Sequence, residues 1–592
     1  MSNISRSDFL KMSAMGVVAS TVTPRLWGRV LEETTAEDTE LLQQLVNGND
    51  RSVERYLDFL SNRQPMSWYR PITGAFAAFT AAYFHPQSKF YHAKELIGNM
   101  DEAISELLRL QYPDGTLDSG GNRQSPPDTG FYLEALCPAA VVLDRQNAKE
   151  MTPVNDKLKN FMRKAGEGIR TGGIHTPNHR WVVSSVLAQL YSIFKDEKYL
   201  TRMDEWLAEG IYQNKDGNYP ERSRNYARVE NNAFITIGRL LNRPELFEIA
   251  KKNLITTYYY MESDGYLVSL DSRRQDQNKP VSIALYYMDY RFLANYYQDE
   301  MLGAVTKKIE SLPEFDRLVL SRSLINFMED SSLLQKVKAG SELPITYTKF
   351  FTGSDLVRIR RGSITASIFG GTDKPLIVAS GRSCNPTFFT FRKGEASLDY
   401  VRLSTSFFST GYFMSDGLKK DDNRYTLQEK KEAYYYLPLP EDKRNPEGDY
   451  KHTESLDHRF WSKLDFPSRP KDTLTLDTKI EITEENGHFQ MDISVDGPGD
   501  VNITMDFCFG KDGELQGIEA AQEKDDYFFK DEIVKYKKGE DVIEIGPGKS
   551  EHRMLRGLDG EVYSTHFGTL KGEGMHVYLT GVTPFKHTLS IK

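Results

Sequence analysis

The chain has 592 residues, 39% hydrophobic and 27% charged, with a formal net charge of −9. That length is more than one hydrophobic core serves, so two large domains or more are expected. An acidic chain without a basic face also lacks the phosphate-neutralising surface that nonspecific nucleic-acid binding requires. Cys137, Cys384 and Cys508 lie far apart and show no CxxC or Cys/His spacing, which points to buried thiols rather than a zinc site or a disulfide framework.

At the N-terminus, Ser5-Arg6-Ser7-Asp8-Phe9-Leu10-Lys11 followed by MSAMGVVAS resembles a twin-arginine export signal, with Ser7 where the second arginine belongs. Residues 1–30 are therefore read as an export signal and the protein as periplasmic or secreted. No later apolar run reaches the roughly 18 residues that a membrane span needs.

From Glu40 to about Lys338 the pattern is helical. Segments such as ELLQQLVNGNDRSVERYLDFL, AKELIGNMDEAISELLRLQ, KLKNFMRKAGEGIR, VVSSVLAQLYSIF, ELFEIAKKNLITTYYYM and DRLVLSRSLINFMEDSSLLQKV repeat apolar residues at i, i+3, i+4 and i+7, which predicts ten to twelve helices. The connections resemble one another: QYPDGTLDSGG at Gln111, RTGGIHTPN at Arg170, QNKDGNYPERS at Gln213 and MESDGYLVSLDSRRQD at Met261. Their starts are 59, 43 and 48 residues apart, close to one helical hairpin with its turns. Because the loops are alike and the helices are not, the segment 31–338 is read as an (α/α) toroid whose rim loops converge, rather than as a solenoid.

After Leu343 the period changes to two. ITYTKFFTG, LVRIRRGSITASIFGG, TFFTFRKG, TLTLDTKIEITEENGHFQMDISVDG and MHVYLTGVTPFKHTLSIK alternate, with Gly, Asn and Asp at the turns. Residues 339–592 are therefore read as a large antiparallel β-sandwich, the boundary falling near 336–345 and the whole being a multidomain α + β protein.

The chemistry-bearing residues gather in the loops. His175, Asn178, His179 and Arg180 stand within six positions at the start of a helix, with Pro177 fixing φ among them, and a helix N-terminus favours anions. Tyr219, Glu221, Arg222, Arg224, Tyr226 and Arg228 follow in the third loop, Arg273, Arg274 and Asp276 in the fourth, and Asn122, Arg123 and Asp128 in the first. The cations are almost all arginine, which suits bidentate capture of a carboxylate. His175 and His179 have i, i+4 spacing, but Pro177 lies between them and no HExxH glutamate accompanies them, so no catalytic metal is assigned; a structural calcium ion stays open.

The export-signal-like start, the helical toroid with DGxYxERSxxY on its rim (Asp216 to Tyr226) and the C-terminal sandwich together resemble the toroid-plus-sandwich polysaccharide lyases, heparinase II/III-like in the broad sense. The resemblance implies that Asn178 and His179, then Tyr226, then a sandwich histidine, His458 or His452, surround a hexuronate, with lyases of L-rhamnose-α-1,4-D-glucuronate as a related type. It also implies cleavage by β-elimination. Asn178 and Arg180 would neutralise the uronate carboxylate, Tyr226 or His179 would take the C5 proton, and His175, Tyr219, Glu221, Arg222, Arg224, Arg273, Arg274, Asp276 and Arg123 would bind substrate. Two other readings stay open. One is a glycoside hydrolase using carboxylates such as Asp128, Glu221 or Asp276; the other is a glycan-binding protein without catalysis.

Overall fold

Burial divides the helices of the N-terminal half into two kinds. In a computed structural model the chain is described over residues 38–592, except 63–68, 279, 341, 372–376, 379–380, 383–384, 459 and 556–570. The export signal read at 1–30 and Cys384 lie outside the described residues. Twelve α-helices are described: α1 (Thr39–Asn62), α2 (Arg70–Phe84), α3 (Lys94–Leu110), α4 (Pro126–Gln146), α5 (Thr152–Thr171), α6 (Pro177–Phe194), α7 (Glu197–Ala208), α8 (Arg224–Leu241), α9 (Glu245–Tyr258), α10 (Tyr287–Tyr297), α11 (Glu300–Glu310) and α12 (Leu324–Glu329). The even-numbered helices α2 to α10 pack in series, each on the next, while α1, α3, α5, α7, α9 and α11 cover them from outside. The two layers differ in what they hide: α2 buries twelve of its fifteen residues, whereas α7 buries Tyr199, Met203 and Leu207 out of twelve.

The chain order puts the N-terminus of each inner helix after a rim loop, so the loops and the positive ends of α4, α6, α8 and α10 share one end of the helical layer. Three of the loops fold alike. In 112–116, 214–218 and 262–266 the first residue donates its N–H to the carbonyl of the fifth (2.9, 2.9 and 2.8 Å), and the glycine N–H returns to the carbonyl of the first (2.9, 3.0 and 3.0 Å). Gly115 and Gly217 have φ of +89° and +91°, and a Cβ on Gly115 would stand 1.8 Å from the Lys164 carbonyl oxygen. Gln111 and Gln213 brace these turns in the same way. Each side-chain amide donates to the glycine carbonyl four residues on (2.8 and 3.0 Å) and to a carbonyl of the following outer helix, Phe161 or Ile249. At the opposite end α12 ties the inner helices together. Arg145 at the end of α4 donates to the Met328 and Glu329 carbonyls, and Arg239 near the end of α8 makes a two-pronged bond to the Glu329 carboxylate at 3.0 and 2.9 Å.

The segment read as one helix from Asp316 onward is broken. A single wide turn (Asp316–Leu320), α12 and a short 3₁₀ turn (Ser331–Leu334) replace it. The break has a packing cause, because Leu320 lies against Gly48 of α1, where a Cβ would meet its carbonyl oxygen at 2.6 Å, and the Ser52 hydroxyl of α1 takes the Ser321 carbonyl.

The chain divides into two compact units. The first holds the helices, up to Val268 and again over Pro280–Leu343; the second is Pro344–Lys592 joined by Ser269–Lys279. The fourth loop, expected on the helical rim, therefore leaves the helical unit between the short strands Tyr266–Leu267 and Val281–Ser282, which pair with each other. The second unit is built on two large sheets, beside two short two-stranded pairs. One runs in spatial order Ile518–Ala520, Asp526–Phe529, Met575–Val582, Asn502–Phe509, Ala396–Thr405, Phe389–Lys393, Ile364–Phe369, Leu356–Arg361, Thr346–Phe351. The other runs Leu418–Asp421, Arg424–Tyr436, Lys471–Glu485, His488–Asp496, Phe585–Ile591, Asp541–Gly546, Val534–Lys538, Glu514–Gln516. All pairs in the two sheets are antiparallel except Asp526–Phe529 against Met575–Val582, which is parallel. The inward faces interlock: Phe389 and Phe391 of the first sheet meet Phe489 of the second at 5.2 and 5.8 Å, and Phe509 stacks on Tyr536 at 5.1 Å. Cys137 and Cys508 are both buried free thiols.

Candidate functional site

The loop before α6 differs from the other rim loops in lacking the Asp-Gly turn, and its helix begins on Pro177-Asn178 with no side-chain cap from Thr176. The missing cap comes from the next loop. The buried Glu221 carboxylate accepts the Asn178 backbone N–H at 3.1 Å and its side-chain amide at 2.8 Å, placing a negative charge on the positive end of α6. The anion-binding capacity expected at this helix start is thus occupied by the protein's own glutamate. Glu230, one turn into α8, is buried near it; burial first and the Glu221 charge second push its carboxyl well above the ordinary range.

Several residues expected to hold substrate make contacts within the protein. Tyr219 is 2% exposed, donates its hydroxyl to Asn231 Oδ1 at 2.7 Å, and burial pushes its phenol well up, so it belongs to the core between α8 and its loop. Arg224 is 1% exposed: its guanidinium lies 3.4 Å from the centre of the Tyr260 ring and donates to Asn218 Oδ1 (3.0 Å) and the Val268 carbonyl (3.2 Å). Arg180 donates to Glu209 Oε2 (2.8 Å) and the Gly210 carbonyl (2.9 Å) and stacks on Trp181. The Asn178 amide is divided between Glu221 and Thr176 Oγ1 (3.2 Å). Expected as carboxylate neutralisers, Asn178 directs its side-chain amide to Glu221 and Thr176, and Arg180 directs two of its five donors to Glu209 and Gly210. Arg123 is largely exposed and pairs with Asp118. Arg222 is buried with φ +48°, a left-handed backbone that turns the chain into α8. Arg273, Arg274 and the buried Asp276 lie on Ser269–Lys279 in the second unit, where Asp276 accepts from the Ser272 hydroxyl at 2.5 Å. His458 is also in the second unit, on an exposed hairpin with its Nδ1 3.1 Å from Glu454; His452 is on the same hairpin, near Trp461.

What the rim of the helical unit presents is a smaller set. His175 is exposed and its ring meets that of His179 edge to face at 4.6 Å; His179 in turn lies 6.2 Å from Phe131 of α4. Tyr226, half-buried, occupies the first turn of the adjacent helix α8, where Ser223 caps its backbone N–H. Imidazole and phenol are side-chain types that serve as general acids and bases.

Below them the inner wall carries a group of which sequence reading named only Arg228. Arg70 begins α2 and lies over Phe131, 4.5 Å from its centre; Glu134 is one turn beyond Phe131; Arg228 and Asn232 share one face of α8; Asp289 is in the first turn of α10. Burial pushes the Glu134 carboxyl up to about 7, although Arg70 and Arg228 pull it down. Burial likewise raises Asp289 well above the ordinary range, against Arg228 and Asn232. One signal was available in the sequence, since Glu134 is the single acid within the apolar run GFYLEALCPAAVV.

No group of three or more His, Cys, Asp or Glu side chains among the described residues is placed to hold a metal ion, and no described helix is long and apolar enough to cross a membrane. Comparison of the sequence with protein-family profiles and with curated protein sequences finds no match. Solved structures do match in fold. Heparinase III aligns with a TM-score of 0.56 at 10% identity, over 90% of this chain and 78% of its own. A chondroitin AC lyase from Streptomyces coelicolor A3, in complex with chondroitin sulphate, gives 0.58 at 10% identity, over 92% and 79%. A xanthan lyase from Paenibacillus gives 0.54 at 10% identity, over 99% of this chain and 60% of that one. The fold is thus the helical toroid followed by a β-sandwich that those proteins have.

Proposed function

We propose that the chain is a polysaccharide lyase that cleaves at O4 of a hexuronate by β-elimination, with glucuronate, and rhamnosyl-glucuronate in particular, as the substrate unit, and that it acts in the periplasm or outside the cell. The observation that carries this reading is that His179 and Tyr226 stand in the first turns of the neighbouring inner helices α6 and α8, with His175 in the loop before α6 against the His179 ring, at the end where the helix N-termini gather. Elimination needs a base near C5 and positive potential for the charge that builds on the carboxylate. Tyr226 or His179 supplies the base, and the oriented N-termini of α4 and α8, with the imidazoles, supply part of the potential. After elimination the same phenol can return its proton to the departing O4. The shared fold with proteins described as lyases supports the reaction class.

The hydrolase reading needs two available carboxylates, and the candidates for that role are engaged. Glu221 caps α6 (3.1 and 2.8 Å), Asp128 accepts from Ser125 Oγ (2.7 Å) and the Asn122 amide (2.9 Å), and Asp276 accepts from Ser272 (2.5 Å). The test is to incubate the protein with glucuronate-containing polysaccharides and follow ultraviolet absorbance. A conjugated C4=C5 double bond is expected in the product; saturated sugars released without it would favour hydrolysis, and binding without turnover would favour a glycan-binding role.

A further inference from the structure

The inner wall holds a guanidinium, that of Arg228, whose hydrogen bonds are incomplete among the described residues. Other arginines of the inner helices are committed: Arg224 to Tyr260 and Asn218, Arg239 to Glu329, and the buried Arg291 to the Leu333 carbonyl (2.6 Å), Asp38 and Glu310. Arg228 makes one marginal contact, Nη2 to Asn225 Oδ1 at 3.5 Å, while its Nε is buried and has no acceptor among the described residues. A guanidinium has five donors and cannot shed its charge, so leaving it under-satisfied in a partly desolvated wall is costly unless a bound group completes it. Its acidic neighbours do not complete it: Glu134 and Asp289 face it from α4 and α10, and among the described residues neither forms an ion pair with it. Both carboxyls are biased toward their neutral forms by burial, so near neutrality the positive charge of Arg228 and Arg70 is only partly offset. Asn232, exposed and four residues further along α8, stands on the same face; its amide hydrogen-bonds the Asp289 carboxyl and has a second N–H to offer.

We propose that Arg228, with Asn232, is the seat for a carboxylate of the substrate on the inner wall of the helical unit. The proposal rests on the reading of the chain as a protein that takes uronate-containing glycans, and it assigns carboxylate recognition to Arg228 in place of Arg180. A planar fork meeting a carboxylate gives two charge-assisted hydrogen bonds, which a neutral sugar cannot replace.

The test measures binding, by calorimetry, of a rhamnosyl-glucuronate disaccharide and of its carboxyl-reduced counterpart, with absorbance read on the same samples. The wild-type protein is expected to bind the acid about tenfold or more tightly than the reduced sugar, a difference of about 1.4 kcal/mol. Arg228→Gln should bring the two within about twofold and Arg228→Lys should restore part of the preference, while Arg180→Ala should keep it. Absence of an acid preference in the wild-type protein overturns the proposal, as does a preference that survives Arg228→Gln. If the preference and its loss are seen but the conjugated product never forms, the seat stands and the lyase reading falls.

Discussion

The rim loops and the inner wall just below them are built from the same residue types to opposite ends. At the rim, Glu221 saturates the start of α6, Arg224 is closed between Tyr260 and Asn218, and Arg180 is held by Glu209. On the wall, Arg228 has no acceptor for Nε among the described residues, and Glu134 keeps a raised pKa in spite of two arginines. Polar residues crowded in a loop mostly serve the loop, because each turn must satisfy its own backbone and the helix end beside it. Polar residues set singly into an otherwise apolar inner helix have no such duty, and there an incomplete hydrogen-bond set signals a ligand.

The largest effect that sharpens this contrast is on turnover. Tyr226→Phe keeps the ring and removes the hydroxyl, so kcat should fall about 100-fold or more with KM little changed. If Tyr226→Phe is nearly normal while His179→Ala is inactive, the imidazole takes the C5 proton and the phenol is structural.

Next in size is a loss of stability at the rim. Glu221→Ala strands the buried donors of Asn178 and should cost about 2–4 kcal/mol in urea unfolding, while the folded fraction stays active. An unchanged unfolding midpoint with abolished activity would turn Glu221 into a reacting carboxylate and revive the hydrolase.

The wall gives a pH effect of opposite character. Glu134 has an ordinary pKa of 4.5 and about 7 in the folded protein, so between these values the folded state holds a proton the unfolded chain has released. Its contribution to stability is therefore lost as pH rises from 4.5 to about 7 and stays lost above. Glu134→Gln should be near neutral at low pH and stabilise by about 1–3 kcal/mol at pH 8, the lower end allowing for the solvent contact of a half-buried group. A variant whose advantage does not grow with pH would place Glu134 in an ordinary aqueous setting.

The smallest effect is expected at Arg180. Its bond to Glu209 is partly exposed, with the two side chains 17% and 53% accessible, so Arg180→Ala should cost about 1 kcal/mol or less and leave KM for a uronate within about twofold. A rise in KM comparable to that of Arg228→Gln would return Arg180 to the carboxylate.

The outer helices were legible in the sequence because one face meets solvent: α5 and α9 follow the apolar spacing of KLKNFMRKAGEGIR and ELFEIAKKNLITTYYYM. The inner helices α2 and α4, RPITGAFAAFTAAYF and PPDTGFYLEALCPAAVVLDRQ, were not, since a helix packed on all sides has no stripe to read. The period-two strands of the sandwich were plain for the same reason as the outer helices, whereas the parallel pairing of Asp526–Phe529 leaves no local mark. The repeated Asp-Gly loops pointed to the rim, because only glycine fits φ near +90° there. The cluster His175, Asn178, His179 and Arg180 was found by spacing, but its partners Glu221 and Glu209 lie 43 and 29 residues on, and no spacing rule shows that they consume the donors.

The most direct test of the central claim is a time course of ultraviolet absorbance with a rhamnosyl-glucuronate polysaccharide and purified wild-type protein. The account predicts a rise from the C4=C5 double bond conjugated to the uronate carboxylate, reduced about 100-fold or more by Tyr226→Phe or by His179→Ala. Release of shorter saturated chains with no such rise would contradict it.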